Sequence, residues 1–207
     1  MNKISLIIFG CGFFKAAPGM TEQLLAYDRH LFRIVNNQWS NIFFDWLMPW
    51  LRNSTMWLPL YLFLLLFILI NFRKNGWWLV LFAAGTVIMS DFVSSKIIKE
   101  NIIRLRPCNE PDIAGWVHVL VGYRPQSSSF TSSHAANHFS IAMFLYITLK
   151  NHFKYWPGLF LLWAFSISFA QVYVGVHYPL DITCGALIGI LIGYLSGRSF
   201  NRTYGLQ

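Results

Sequence analysis

Charge is scarce in this 207-residue sequence, at 12% of residues, and negative charge is scarcer still, with eight acidic residues against sixteen basic ones. A chain this poor in charge does not have the composition of an ordinary soluble domain, in which about a quarter of residues are charged. Cysteine is nearly absent too. Cys11, Cys108 and Cys184 show no C-x-x-C spacing, and an odd count gives no disulfide framework, so neither a stapled scaffold nor a cysteine-built metal site is indicated. Internal repeats and low-complexity stretches are also missing, which excludes solenoids and disordered tails.

Apolar and aromatic side chains fill the sequence instead: 56% of residues are hydrophobic, with nineteen Phe, nine Trp and nine Tyr. That mixture suits helices facing lipid, with aromatic rings near the interfaces. The net charge of +8 fits basic cytoplasmic loops and attraction to anionic head groups. The basic residues are scattered between apolar runs and form no single stripe, which argues against a nucleic-acid partner.

The pattern predicts an all-α integral membrane helical bundle with five clear spans, a possible sixth, and an N-terminal amphipathic helix. The apolar run Ile4 to Phe14 is shorter than the ~20 residues a crossing needs, and reads as a signal-like start or an interfacial piece. In residues 20–52, Leu24, Leu25, Leu31, Phe32 and Val35 alternate with Glu22, Asp28, Arg29 and Arg33, as in a helix at a membrane surface. Trp39 to Leu51 reads as a short or re-entrant helix. Spans are expected at 57–72, 77–93, 134–149, 156–176 and 179–197, with the second helix running on to Leu105 until Pro107 stops it. Residues 1–52 then form an N-terminal segment, and 53–200 a membrane-embedded catalytic unit, within a single domain.

The turns at Arg73/Lys74 and Lys150/Lys154 and the tail at Arg198/Arg202 are separated by pairs of spans, so they share a side. Being basic, that side is expected to be cytoplasmic. Three polar clusters fall on the other side. Lys99 and Arg106, seven residues apart, would share a face of a continuous helix and suit a phosphate as point charge and planar fork. Thr131, Ser132, Ser133 and His134 open a helix whose free N–H groups form an anion site, with His134 placed to donate a proton. His177 and Asp181 flank Pro179, and a carboxylate beside an imidazole fixes its tautomer and raises its basicity. Each cluster alone has an ordinary explanation as a helix cap or a snorkelling cation. Together at one membrane face they describe a phosphoryl-transfer site.

The stretch Lys99–Pro107 (KENIIRLRP), the run Thr131–His134 (TSSH) and the stretch Ala170–Asp181 (AQVYVGVHYPLD) resemble, in order, the three motifs K-x6-R-P, P-S-G-H and S-R-x5-H-x3-D of the type 2 phosphatidic acid phosphatase family. The resemblance covers roughly residues 55–197 and implies roles. His177 attacks phosphorus and becomes a phosphohistidine, Asp181 orients it, and His134 protonates the leaving oxygen and then activates water. Lys99, Arg106, Ser132 and the backbone near Ser133 hold the phosphate. It implies no metal or other cofactor, and a lipid phosphate or diphosphate as substrate: a polyprenyl diphosphate, phosphatidic acid or phosphatidylglycerol phosphate. It is also consistent with a bacterial inner membrane and an extracytoplasmic site.

Three positions depart from the motifs. Thr131 stands for Pro, Ser133 for Gly, and Gln171 for the third-motif Arg. The last is the most serious, since a lost charge-assisted contact is worth about 1.5–3 kcal/mol. Arg104, Arg124 or Lys96 are the candidates to compensate. Gln171 also keeps a lipid-phosphate binding or transport protein in view. A phosphotransferase would use the same residues, and the i, i+4 pair His134/His138 raises a metal hydrolase as a rival.

Overall fold

The computed structural model describes residues 18–206, all helices and loops with no strand among them. The apolar run Ile4–Phe14 and Cys11 lie outside the described residues. Helix α1 is Pro18–Arg33 and continues through a wide turn, Ile34–Gln38. Helix α2, Ile42–Arg52, begins where the Asn41 side chain accepts the Phe44 N–H at 3.0 Å. Helix α3 is the long element, Leu58–Asp91. Helices α4 (Ser133–Phe153), α5 (Gly158–Tyr173) and α6 (Pro179–Thr203) complete the set.

Although α3 carries helical hydrogen bonding throughout, it does not run straight. A Cβ built on Gly76 would lie 2.7 Å from the Ile68 carbonyl oxygen, a distance impossible across eight residues of straight helix. The chain folds back there, and only a residue without Cβ fits the approach. The two arms, Ser54–Phe72 and Lys74–Asn101, are each long and apolar enough to cross a bilayer, as is α6. Gly158–Tyr173 is apolar but shorter.

The outward faces are those of a lipid-facing bundle. Leu62, Phe63, Leu66, Ile70, Leu159, Leu162, Phe165, Leu187 and Leu191 are exposed, while Ser94, Ser140, Thr148 and Ser168 are buried. With lipid outside there is little hydrophobic drive between helices, so small residues and polar contacts must hold them. The α4–α6 interface shows how. Gly185, Gly189, Gly193 and Gly197 recur every four residues along one ridge of α6. A Cβ at Gly185 would meet the Ser132 carbonyl oxygen at 2.6 Å, and Cβ atoms at Gly189 and Gly193 would collide with the carbonyls of Ala136 and Ser140. Between arm and helix, the Thr86 and Ser196 hydroxyls meet at 2.6 Å.

The two ends of the bundle are distinct. At one end the α3 fold-back, the α4–α5 turn and the chain's tail converge: the Asn75 amide donates to Gly205 at 2.9 Å, Trp78 stacks on Tyr204, and Phe72 packs on His152. All the motif residues lie toward the other end.

Two expectations change. The second arm's helix ends at Asn101, not Leu105. Its continuation pairs with the 127–130 loop instead: Ser129 N–H donates to Arg104 C=O at 2.8 Å, Arg104 N–H to the Ser128 hydroxyl at 3.1 Å, and that hydroxyl to Ile102 C=O at 2.7 Å. Lys99 and Arg106 therefore share no helix face. In α1 the polar face does not simply point outward: Phe32 is buried as expected, but so is Asp28, while Leu24 and Tyr27 are exposed.

Replacing Gly189 by Val should separate α4 from α6 and cost about 3 kcal/mol, the upper end for overpacking. Gly85→Ala, at a position with no neighbour within 4 Å, should be neutral or stabilising. Thermal unfolding in detergent compares the two; equal midpoints would refute the close-packed ridge.

Candidate active site

His177 sits in the short connection between α5 and α6. The end of α5 turns through Gly175 at φ +85°, where a Cβ would press on the His118 carbonyl at 2.9 Å. The next two amides, Val176 and His177, both donate to the Gln171 carbonyl, at 3.2 and 3.3 Å. Pro179 then opens α6, and Asp181, at its third position, reaches back to accept the Tyr178 N–H at 3.0 Å. The capping requirement of α6 thus delivers Asp181 to the neighbourhood of the imidazole.

His177 is almost fully buried and its two ring nitrogens face different partners. Nδ1 lies 3.6 Å from Asp181 Oδ2 and 3.4 Å from the Ser129 hydroxyl, which itself donates to Asp181 Oδ2 at 2.5 Å. Nε2 lies 3.0 Å from Arg106 Nη1. A guanidinium only donates, so the proton belongs on Nδ1 and the lone pair on Nε2. Burial holds the His177 pKa down to about 4, with Asp181 opposing and Arg106 reinforcing. The ring is therefore neutral at pH 7.

Arg106 is held by the Ser127 carbonyl and hydroxyl at 2.9 and 3.0 Å and by the Val176 carbonyl at 3.1 Å. Lys99 donates to the Ser133 hydroxyl at 3.0 Å, which joins the first cluster to the second through the opening of α4. Its charge lies within electrostatic reach of Arg106 and Asp181. The Ser132 hydroxyl accepts the Ala135 N–H at 3.4 Å as the cap of α4, and its own N–H donates to the Asp181 carbonyl at 3.2 Å. His134 lies parallel to His138 and lines a cavity of about 370 Å³ together with Arg52 and Tyr123. Gln171 is fully buried, with neither side-chain atom hydrogen-bonded.

The three candidates to replace the third-motif cation are all engaged elsewhere. Arg104 bridges Asp181 and Asp28, at 2.6 Å to each, with its guanidinium 4.1 Å over the Tyr178 ring. Arg124 donates to the Cys108 carbonyl at 2.9 Å. Lys96 pairs on the surface with Glu100 at 3.2 Å. As for the metal rival, His138 Nδ1 faces the His134 carbonyl at 2.8 Å and Nε2 faces the Tyr61 hydroxyl at 3.3 Å. Among the described residues no group of three His, Cys, Asp or Glu is arranged around a metal position.

Two participants escaped sequence reasoning. Ser129 lies in the run Ser127–Ser129, whose composition signals only a loop. Asp28 is one acid among several polar residues of α1, yet its carboxylate accepts the Leu180 N–H at 2.8 Å and Arg104 at 2.6 Å. Burial raises its pKa, against the pull of Arg104. Nothing local sets it apart from Glu22, the other acid of that helix.

A lipid-facing helical bundle with a polarised histidine and several cations gathered at one end is the architecture of a membrane phosphatase. The chain belongs to the PAP2 superfamily, whose sequence model matches residues 75–204. It is 35% identical over 179 residues to a lipid A 4'-phosphatase of Bacteroides thetaiotaomicron, covering 85% of this chain and 78% of that one. It is 30% identical over 179 residues to an undecaprenyl-diphosphatase of Sulfolobus acidocaldarius, covering 84% and 79%. Among solved structures, LpxE of Aquifex aeolicus matches with a TM-score of 0.57 at 27% identity, over 82% of this chain and 93% of that one. A PAP2-type phosphatidylglycerolphosphate phosphatase of Bacillus subtilis shares the fold, with a TM-score of 0.64 at 19% identity, over 97% and 95%.

Asp28→Asn leaves Arg104 half-paired in a buried position and should destabilise the protein by about 3 kcal/mol, as expected when one partner of a buried ionic cluster is removed. Thermal unfolding measures it. An unchanged midpoint would mean that α1 is not tied to the site.

Proposed function

We propose that this chain hydrolyses the phosphate ester of a membrane lipid through a phosphohistidine on His177. The observation that carries the reading is the polarised imidazole, with Nδ1 toward Asp181 and Ser129 and Nε2 facing the Arg106 cation. Nε2 attacks phosphorus as the bond to the leaving oxygen breaks, and His134, charged as imidazolium once the phosphate anion lies beside it, gives that oxygen its proton and is left neutral. Water, deprotonated by His134, then attacks the phosphohistidine, releasing inorganic phosphate and restoring His177. Arg106, Lys99 and the free N–H groups at the start of α4, near Ser132 and Ser133, take the charge of the phosphoryl oxygens. Asp181 stabilises the imidazolium character that develops on attack. No step calls for a metal.

The substrate we favour is a phosphorylated saccharolipid of the lipid A kind. Two lipid A 4'-phosphatases, at 35% and 28% identity, match across about 85% of the chain. A polyprenyl diphosphate is the second reading, supported by the undecaprenyl-diphosphatase match. Phosphate release by the purified protein should separate them on a panel of lipid A, undecaprenyl diphosphate, phosphatidic acid and phosphatidylglycerol phosphate. Release should persist in a chelator and fall at least about 10³-fold in His177→Ala, as for loss of a nucleophile. Release that the variant retains would remove the phosphohistidine.

We further propose five spans: the two arms of α3, then α4, α5 and α6. Residues 18–206 would work as one domain, with α1 and α2 at the membrane surface. The end carrying Lys74, Lys150, Lys154, Arg198 and Arg202 is cytoplasmic by the positive-inside rule, so the site faces outward from a bacterial inner membrane. Gln126 and Lys154 are exposed at opposite ends. A membrane-impermeant maleimide added to intact cells should label Gln126→Cys and spare Lys154→Cys; the reverse pattern would invert the topology.

A further inference from the structure

With Arg104, Arg124 and Lys96 committed to other partners, the site is one cation short of the third motif. Another cation stands at its edge, on an element outside all three motifs. Arg52 is the last residue of α2 and is half-buried. Its guanidinium lies 5.7 Å over the Tyr123 ring and donates to the Tyr123 hydroxyl at 3.3 Å. No carboxylate pairs with it among the described residues. Its Nε is buried without a hydrogen-bond partner. The side chain is thus positioned by an aromatic face, while its charge and one donor stay unspent.

The place is the telling part. Arg52 lines the 370 Å³ cavity onto which His134 opens, with Pro49, Asn53, Leu120 and Tyr123 around it. Its charge acts on both His134 and Arg106. Burial holds Arg106 below its usual range and Arg52 pushes the same way, with Asp181 the carboxylate that opposes. An unpaired cation lining a cavity with His134, with the Arg106 charge within electrostatic reach, forms a site for an oxyanion.

We infer that Arg52 is a ligand of the substrate's phosphoryl group, supplying from α2 the cation that Gln171 does not supply from α5. This rests on the phosphatase reading for its biological meaning, but anion binding tests it without turnover. The phosphate oxygens would take Arg52 from the cavity side and Arg106 from the His177 side. The Tyr123 ring limits the arginine's freedom, so less ordering is needed on binding.

The experiment is a titration of detergent-purified protein with inorganic phosphate, read as thermal stabilisation, with lipid turnover measured beside it. Phosphate carries no headgroup, so an effect on it places Arg52 on the phosphoryl group itself. Arg52→Gln should weaken phosphate binding by roughly tenfold or more, the scale of a charge-assisted contact. Arg52→Lys should lose less. Arg198→Gln, a cation at the opposite end that bonds Tyr194, should bind as wild type. Arg52→Gln combined with Gln171→Arg should regain most of the loss, since the cation returns to its motif position. If that double variant does not fold, the Gln and Lys variants of Arg52 decide alone. Wild-type affinity in Arg52→Gln, or no stabilisation of the wild type by phosphate, overturns the inference. So does a loss confined to lipid turnover, which would make Arg52 a headgroup contact. Phosphate binding that depends on Arg52 in a protein without turnover on any lipid would sink the phosphatase reading and leave this one standing.

Discussion

The Asp181 carboxylate is the point on which the site is built. It is fully buried, and a bare carboxylate in such surroundings would be prohibitively costly. Four groups make it tolerable: the Arg104 guanidinium on Oδ1, and the Ser129 hydroxyl, the Tyr178 N–H and the His177 ring on Oδ2. They arrive from three parts of the chain, so satisfying one charge fixes the 102–106 strand-like stretch, the 127–130 loop and the start of α6 relative to one another. The order of causes matters. The need to solvate Asp181 assembles the loop, and the assembled loop holds His177 with its lone pair facing Arg106.

That assembly needs a rigid floor, which the α4–α6 contact supplies. The glycine ridge lets two backbones meet without side chains between them, and it brings the Ser132 N–H to the Asp181 carbonyl at 3.2 Å. The α4 N-terminus and the His177 loop are therefore neighbours because of packing that runs down the bundle, far from the chemistry. In lipid this is a sound place to invest close contact, because apolar surface gains little by leaving one apolar environment for another.

The elements visible in the sequence were those with a local cause. Lipid-facing helices, the basic turns, the Pro179 start of α6 and the Ser132 cap all follow from composition or from neighbours a few residues away. The exit from the second helix is not legible in the sequence because nothing local stops it before Pro107; the backbone of 102–104 leaves the helix to pair with residues more than twenty positions later. Asp28 and Ser129 are invisible for the same reason, since each side chain acts through partners 48 to 152 residues away. In the sequence Arg104 looks like a spare cation, but burial between two carboxylates makes it a structural one. Spacing reveals which groups share an element; it does not reveal which charges neutralise each other across elements.

Gln171 ties these threads together. It lies beneath the histidine loop, fully buried, its carbonyl accepting two loop N–H groups and its side-chain amide accepting and donating nothing. An unsatisfied buried amide costs about 1–3 kcal/mol, a cost that stability alone would not retain. The two buried carboxylates of the site have little left to offer an arginine there: the oxygens of Asp181 already serve Arg104, Ser129, Tyr178 and His177. With that carboxylate saturated and Asp28 spent on Arg104, a further buried cation would sit unpaired whenever the site held no phosphate. A neutral amide at 171 relieves that repulsion, and a cation half-exposed on α2 can keep its charge solvated until an anion arrives. The departure from the motif and the position of Arg52 are then one electrostatic solution, divided between the buried and the accessible sides of the same site.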